Sequence, residues 1–221
     1  MAQSLVLRDE SADGVVVLTL NRPEKRNALS LDLRDELAVA LEGEANAFVI
    51  TGAGTAFCAG MDVTQFGGDA ENRRRIVETS TRLFRSLAFC PVPVVAYVNG
   101  SALAGGFALV LYADVRIAAP QATFGFVEVK RGIPASYAAA RAALPEGVAR
   151  DLCMTGRTVD AAEAERLGVA RPGTLDDALQ AARDAATPAG RAIKARALID
   201  PPWLALLEEE ERALRAAVTD R

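Results

Sequence analysis

The chain has 221 residues, 51% of them apolar, and a formal net charge of −4, which suits one domain or a domain with a small helical appendage and argues against a broad nucleic-acid footprint. It contains no histidine, which removes the Ser–His–Asp and Cys–His schemes and most metal sites, leaving acid–base chemistry to a carboxylate, Lys, Tyr or Cys. Cys58, Cys90 and Cys153 are scattered without the close pair spacing of a disulfide framework or zinc site, and the Met1–Ser4 start has no basic segment followed by an apolar one, so a reducing cytoplasm is the expected setting.

In chain order, Gly14 to Asn21 is rich in Val and Leu and reads as a strand. The polar loop from Asn21 to Asn27 follows, and Ser30 then caps a helix with Leu33, Leu37, Ala40 and Leu41 on its apolar face. Ala47 to Thr51 is a short buried strand that runs into a glycine-punctuated loop ending at Asp62. Ile76, Val77, Leu83, Phe84 and Leu87 recur at helical spacing and predict a long helix over 72–88, with Arg73, Arg74 and Arg75 on its solvated face. The apolar stretch from Pro91 to Ala113 is broken by Asn99, Gly100, Gly105 and Gly106, so it reads as strand, turn and helix rather than a membrane span. Strands are expected at 115–118 and 123–126, and helices from Ala135 onward. Asp160 with Glu163 forms a capping-box pattern opening a helix over 161–167, and further helices divide near Pro188 and Pro201-Pro202. Strands interleaved with helices, then helices alone, predict an α/β core with a helical C-terminal extension.

Two stretches of small residues follow buried strands: Phe57-Cys58-Ala59-Gly60-Met61-Asp62 and Asn99 through Gly106. Small residues let the main chain approach a ligand closely. Gly105 falls in the first turn of a helix, where free N–H groups and the dipole favour negative charge. Two such donors converging on one oxygen make an oxyanion hole. Neither loop is specific by itself, because glycines after a strand are more often plain turns. No dinucleotide or P-loop motif is present.

Taken together and in this order, these stretches resemble the crotonase (enoyl-CoA hydratase/isomerase) superfamily. Asn21-Arg22-Pro23-Glu24-Lys25-Arg26-Asn27-Ala28-Leu29 is similar to its N-terminal motif, and Ile50-Thr51-Gly52 through Met61-Asp62 to its first oxyanion loop. Asn99-Gly100 through Gly105-Gly106, with Ala113 to Ala118, is similar to the second, and Phe124-Gly125-Phe126-Val127-Glu128 to the catalytic-carboxylate segment. Leu152 to Arg157 and Ala162 to Val169 are similar to its later helices. The resemblance implies a crotonase-like ββα spiral over 1–160 and a C-terminal helical oligomerisation region over 161–221, in a homotrimer or hexamer. It implies an acyl-CoA thioester substrate, with CoA part of the substrate rather than a recycled cofactor, and no metal. By position, Met61 and Gly105 would give the two oxyanion N–H groups and Glu128 the proton-moving carboxylate. Lys25 and Arg26 would meet a CoA phosphate or be solvated loop charges. Ala28, Ala59, Gly60, Asp62, Val63, Leu103 and Val127 would line the acyl-CoA site, and Lys194 would approach the adenine end.

The sequence also departs from the pattern. The hydratases use two glutamates, and the position of the first is Ala108 here. One carboxylate suffices to shift a double bond, so isomerisation is favoured over hydration. A decarboxylase or dehydratase on a CoA or carrier-protein thioester, and an acyl-CoA binder without catalysis, are the alternatives. Phe126, Val127 and Val129 are expected to wall the glutamate and raise its pKa, whereas spacing alone makes it a salt-bridge partner of Lys130 or Arg131. Ser136 and Tyr137 are either hydrogen-bond donors to substrate or ordinary cap and packing residues, Asp62 a brace for its loop, Asp114 a structural carboxylate, and Cys58 a packing residue. The apolar face of Trp203, Leu204, Leu206 and Leu207 fits burial against a neighbouring subunit or at home.

Overall fold

In the computed structural model, which describes residues 4–198 and 202–219, the chain opens with the antiparallel pair β1 (Val6–Glu10) and β2 (Val15–Leu20). The sequence pattern gave no sign of β1. Three of its five residues are charged and only Val6 is buried, so it is an edge strand held by the ladder to β2 and blunted by its own charges. Helix α1 (Leu31–Leu41) follows, its N-terminus capped by the Ser30 hydroxyl, which accepts from the Leu33 N–H.

A unit then recurs three times: strand, second strand in another sheet, helix. The first is β3 (Ala47–Gly52), β4 (Ala56–Cys58) and α2 (Ala70–Ala88). The second is β5 (Val94–Val98), β6 (Ser101–Leu103) and α3 (Gly105–Tyr112). The third is β7 (Val115–Ala118), β8 (Thr123–Gly125) and, after a 3-10 turn at Val127–Arg131, α4 (Tyr137–Ala143). This is the ββα spiral expected from the resemblance.

The remainder comprises α5 (Glu146–Thr155), β9 (Val159–Asp160), α6 (Ala161–Arg166), β10 (Arg171–Pro172), α7 (Leu175–Ala185), α8 (Pro188–Ala197) and α9 (Pro202–Thr219). Among the described residues the larger sheet has the order β1-β2-β3-β5-β7-β10 and the smaller β4-β6-β8-β9. From β2 to β10 the larger sheet is parallel. The short strands β9 and β10 were unforeseen: two residues carry no period, and only pairing with β8 and β7 defines them.

Both faces of the larger sheet are covered, so β3 is buried along its whole length. Phe48 and Ile50 face the main core, with Leu18, Leu20, Phe107 and Phe124. Val49, with Val15, Val95 and Ile117, faces the other way against Ala178, Ala181 and Ala182 of α7. The C-terminal segment thus supplies one wall of the core. The Asp160 carboxylate accepts from the Glu163 N–H, but the Glu163 side chain turns to Arg157 instead of closing the capping box. Leu207 is buried in the main core, while the side chains of Trp203, Leu204 and Leu206 lie outside the described residues.

Candidate active site

A single side-chain amide ties the N-terminal motif to the first glycine loop. Asn27 is fully buried in a left-handed conformation, φ 55°. Its Nδ2 donates to the carbonyls of Ala53, Ala56 and Phe57 at 2.9, 2.8 and 3.2 Å, and its Oδ1 accepts from the Arg22 N–H at 2.9 Å. Asn99 does the same for the second loop: its amide bridges Gly52 and Gly54, donating to their carbonyls at 2.8 and 3.0 Å. Both glycine loops are therefore referenced to the end of β3.

The loops meet where two N–H groups are left unspent. The Leu29 N–H donates to the Gly60 carbonyl and the Asp62 N–H to the Leu29 carbonyl. Successive amides of an extended segment face opposite ways, so the Met61 N–H faces away from Leu29. Gly105 is the first residue of α3, where N–H groups lack an intrahelical acceptor. Among the described residues neither N–H has an acceptor. They are neighbours: a Cβ placed on Gly105 would lie 3.7 Å from the Met61 nitrogen. Two adjacent unspent donors suit negative charge developing on one oxygen.

This approach is sterically exacting. Gly60 has φ 92°, and a Cβ there would fall 2.6 Å from that of Ala104 and 2.8 Å from the Leu103 oxygen. Ala104 itself has φ 51° and ψ −127°. That conformation costs an alanine about 1–3 kcal/mol, and such cost gathers where the backbone is aimed at a task.

Both donors border a cavity of about 670 Å³, within the range of small-molecule sites. Lys25, Arg26, Ala28, Ala59, Met61, Asp62, Val63, Leu103, Gly105, Val127 and Glu128 all line it. Gly60 does not; the side of it where a Cβ would sit is filled by Ala104 and the Leu103 carbonyl, so its effect on the cavity is through the backbone. Lys25 and Arg26 are exposed, as are Lys130 and Arg131, which line the same cavity. Deeper lining comes from Phe66, Phe84, Ala108, Tyr112, Leu207 and Leu214. With Glu24 also exposed in the lining, the cavity carries a net positive charge at its exposed lining and is largely apolar inside.

Glu128 is set by the 3-10 turn after β8. Its Oε2 is buried and has no hydrogen-bond partner among the described residues. Burial pushes its carboxyl up to about 7, opposed by its own N–H and reinforced by the charge of Glu210. Of the three walls expected around it, Val127 lines the cavity. Phe126 instead packs on Phe107 at 4.7 Å between centroids, and Val129 lies beside Gly156. Strand alternation sends Phe126 into the core, and the turn that follows leaves Val129 half-buried against the loop at Gly156.

Asp62 is a brace. Its carboxylate accepts from the Thr64 N–H and hydroxyl and from Arg22 at 3.1 Å. Burial works to raise its pKa, but these donors outweigh it and the net shift is downward. The Cys58 thiol is fully buried and pushed up to about 12 by that burial, so it is a poor nucleophile. Lys194 is a correction: it is buried away from the cavity, and its Nζ donates to both oxygens of Asp114 at 2.9 and 2.8 Å. The ion pair fastens α8 to the loop before β7, and the cavity is served by other cations. Tyr137 is exposed and does not line the cavity; Ser136 does, with its hydroxyl donated to Glu210 at 2.8 Å.

Glu210 is a lining carboxylate that the motifs could not reveal, and its neighbour Glu211 borders the same cavity. It comes from α9, far along the chain, within the run Glu208-Glu209-Glu210-Glu211 that reads as a solvated face. No local pattern separates it from its neighbours. Only the packing of α9 on α2 and α4 turns it inward.

The alternating sheets and the cavity between two glycine loops define a crotonase-type α/β fold. The enoyl-CoA hydratase/isomerase family matches residues 10–190, and the chain belongs to that family. It is 37% identical over 175 residues to a probable enoyl-CoA hydratase of Mycobacterium tuberculosis, covering 76% of this chain and 70% of the relative. A putative enoyl-CoA hydratase of Thermus thermophilus is 39% identical over 190 residues, covering 78% and 74%. Among solved structures, the enoyl-CoA hydratase of Mycobacterium smegmatis superposes with a TM-score of 0.80 at 28% identity, covering 99% of this chain and 90% of that one.

Proposed function

We propose that the protein is an enoyl-CoA isomerase, in which one glutamate moves a proton while two main-chain N–H groups hold the thioester oxygen. The observation that carries this reading is the partnerless, buried Oε2 of Glu128 in the cavity that also contains the unspent N–H groups of Met61 and Gly105. At about 7, Glu128 is poised to take and return a proton near neutral pH.

With a 3-enoyl thioester, the Glu128 carboxylate takes a proton from C2. The electron pair of that C–H bond moves through C2 onto the carbonyl oxygen, giving a dienolate held by the Met61 and Gly105 N–H groups. The protonated Glu128 then delivers the proton to C4, and a C2=C3 double bond results. No water is consumed. The methyl of Ala108 in the cavity supports this reading over hydration, because it neither orients water nor moves a proton. Lys25 and Arg26 suit the phosphates of CoA, and the apolar interior suits the acyl chain.

The test is incubation of the purified protein with a 3-enoyl-CoA and, separately, a 2-enoyl-CoA. Formation of the 2-enoyl product from the first, with little 3-hydroxyacyl product from the second, is expected. The Glu128→Gln variant should lose isomerisation by about 10²-fold or more. Rapid hydration with no isomerisation would contradict the proposal.

A further inference from the structure

We propose that Glu210 is a positioning residue for the proton transfer: α9 brings it into the cavity as a second carboxylate, held by two donors at the start of α4, and its negative charge makes Glu128 the carboxyl that carries the proton. The inference rests on the reading of Glu128 as the proton-moving group.

The two carboxyls line one cavity and are held differently. Glu210 Oε2 accepts from the Ser136 hydroxyl and Oε1 from the Ala138 N–H, each at 2.8 Å. Ser136 is the N-cap residue of α4 but makes no side-chain cap of its own; Glu210 supplies that cap from a distant helix. Glu128 has a buried Oε2 with no partner. Two carboxylates in a largely apolar cavity resist ionising together, and the proton settles on the one with fewer donors. By that rule Glu210 keeps the charge and Glu128 takes the proton. Burial raises the pKa of both; at Glu210 the Ser136, Ala138 and Ala139 donors oppose it and the charge of Glu209 adds to it, the net shift being upward, and the Glu210 charge is felt at Glu128.

Among the described charged groups around the cavity, Glu210 is the one whose charge is felt at Glu128. Glu210 also acts on Tyr112 of α3 and Cys153 of α5, whose own ionisations lie far above neutrality through burial. From α2 the cavity is met by Ser80, Thr81 and Phe84, which carry no charge, whereas Glu78, Arg82 and Arg85 border a neighbouring groove. Glu211 of α9 borders both and is ion-paired with Arg215, Asp62 is paired with Arg22, and Glu24, Lys25 and Arg26 line the cavity from the exposed N-terminal loop. On α4, Tyr137 and Arg141 are exposed. Lys130 and Arg131 line the cavity with exposed side chains, and Glu209 is exposed on α9.

The experiment is the pH profile of kcat/KM on a 3-enoyl-CoA for wild type, Glu210→Gln and Glu210→Asp, with the titration midpoint of Glu128 followed in parallel by carboxyl carbon NMR, its signal assigned by its loss in Glu128→Gln. Glu210→Gln keeps the shape and removes the charge. The expected result is a fall of about 0.5–1 pH unit in both the acid limb and the Glu128 midpoint, with Glu210→Asp staying near wild type. A uniform loss of kcat/KM at every pH, with the midpoint unmoved, would overturn the proposal and leave Glu210 a structural cap only. If Glu210→Gln does not fold, Ser136→Ala removes one donor from Glu210 and should move the Glu128 midpoint the same way by less; no movement there overturns it equally. The NMR midpoint needs no turnover. A moved midpoint without isomerisation would therefore sink the functional reading while the coupling stands.

Discussion

At the scale of single residues, two side chains show opposite relations between stability and function. Asn27 is wholly structural in its contacts: it satisfies three carbonyls and one N–H from a left-handed backbone position that asparagine tolerates better than most residues. Asn27→Ala should cost about 2–4 kcal/mol in denaturant unfolding, since buried groups are left unpaired. A cost below 1 kcal/mol would show that water replaces the amide. Glu128 runs the other way. Its folded pKa, about 7, lies above its ordinary value of 4.5, so the folded state binds its proton more tightly than the unfolded chain. Its favourable contribution is complete below about 4.5 and is lost as pH rises through 7, after which an ionised, poorly solvated carboxylate remains. Glu128→Gln should therefore raise the melting temperature at pH 8 relative to pH 5, by an amount corresponding to at most about 3 kcal/mol. An equal effect at both pH values would mean that Glu128 is solvated.

At the scale of elements, the cavity depends on how closely loop and helix can approach. A Cβ on Gly106 would lie 2.3 Å from the Cys58 oxygen, a backbone atom that cannot swing aside. Gly106→Ala should push α3, and the Gly105 N–H with it, away from Met61. Loss of kcat/KM by about 10²-fold in a protein that remains folded is the expected outcome, comparable to removing one oxyanion donor; full activity would place the donors elsewhere. Helix α8 gives a contrasting case. Its Lys194–Asp114 pair is partly open to solvent on the Asp114 side, so Lys194→Met should cost about 1–3 kcal/mol and leave KM for acyl-CoA unchanged. A several-fold rise in KM without loss of stability would return Lys194 to the CoA site. The sequence could not separate these cases, because a lysine on a helix reads alike whether it meets a ligand or a partner carboxylate. Helix spans over α1 and α2 were legible because apolar residues repeat along them, and α3, buried on every side, was legible from the glycines that open it. Strand β1 and the short β9 and β10 were not, because their formation depends on partners distant in the chain.

At the scale of the whole molecule, the cavity and its bracing bring together residues that the sequence keeps apart. The N-terminal loop gives Lys25, Arg26 and Asn27, the first two repeats give Met61 and Gly105, the third gives Glu128, and α9 gives Glu210. The first three contributions were readable through motifs of fixed local spacing. The last was not, since an acidic run on an amphipathic helix has no distinguishing member until the helix is packed. Family membership fixes the fold and the thioester class of chemistry, and the proposal that Ala108 and the unequal settings of the two carboxyls select isomerisation is open to direct test. The most direct test is incubation of a 2-enoyl-CoA with the protein in deuterated water, with products resolved by mass spectrometry and proton NMR. Deuterium entering at C4 and C2 of the recovered enoyl chain in wild type, and not in Glu128→Gln, is the result expected if a dienolate forms and Glu128 moves its proton. Equal labelling in both proteins, or 3-hydroxyacyl-CoA as the sole product, would contradict it.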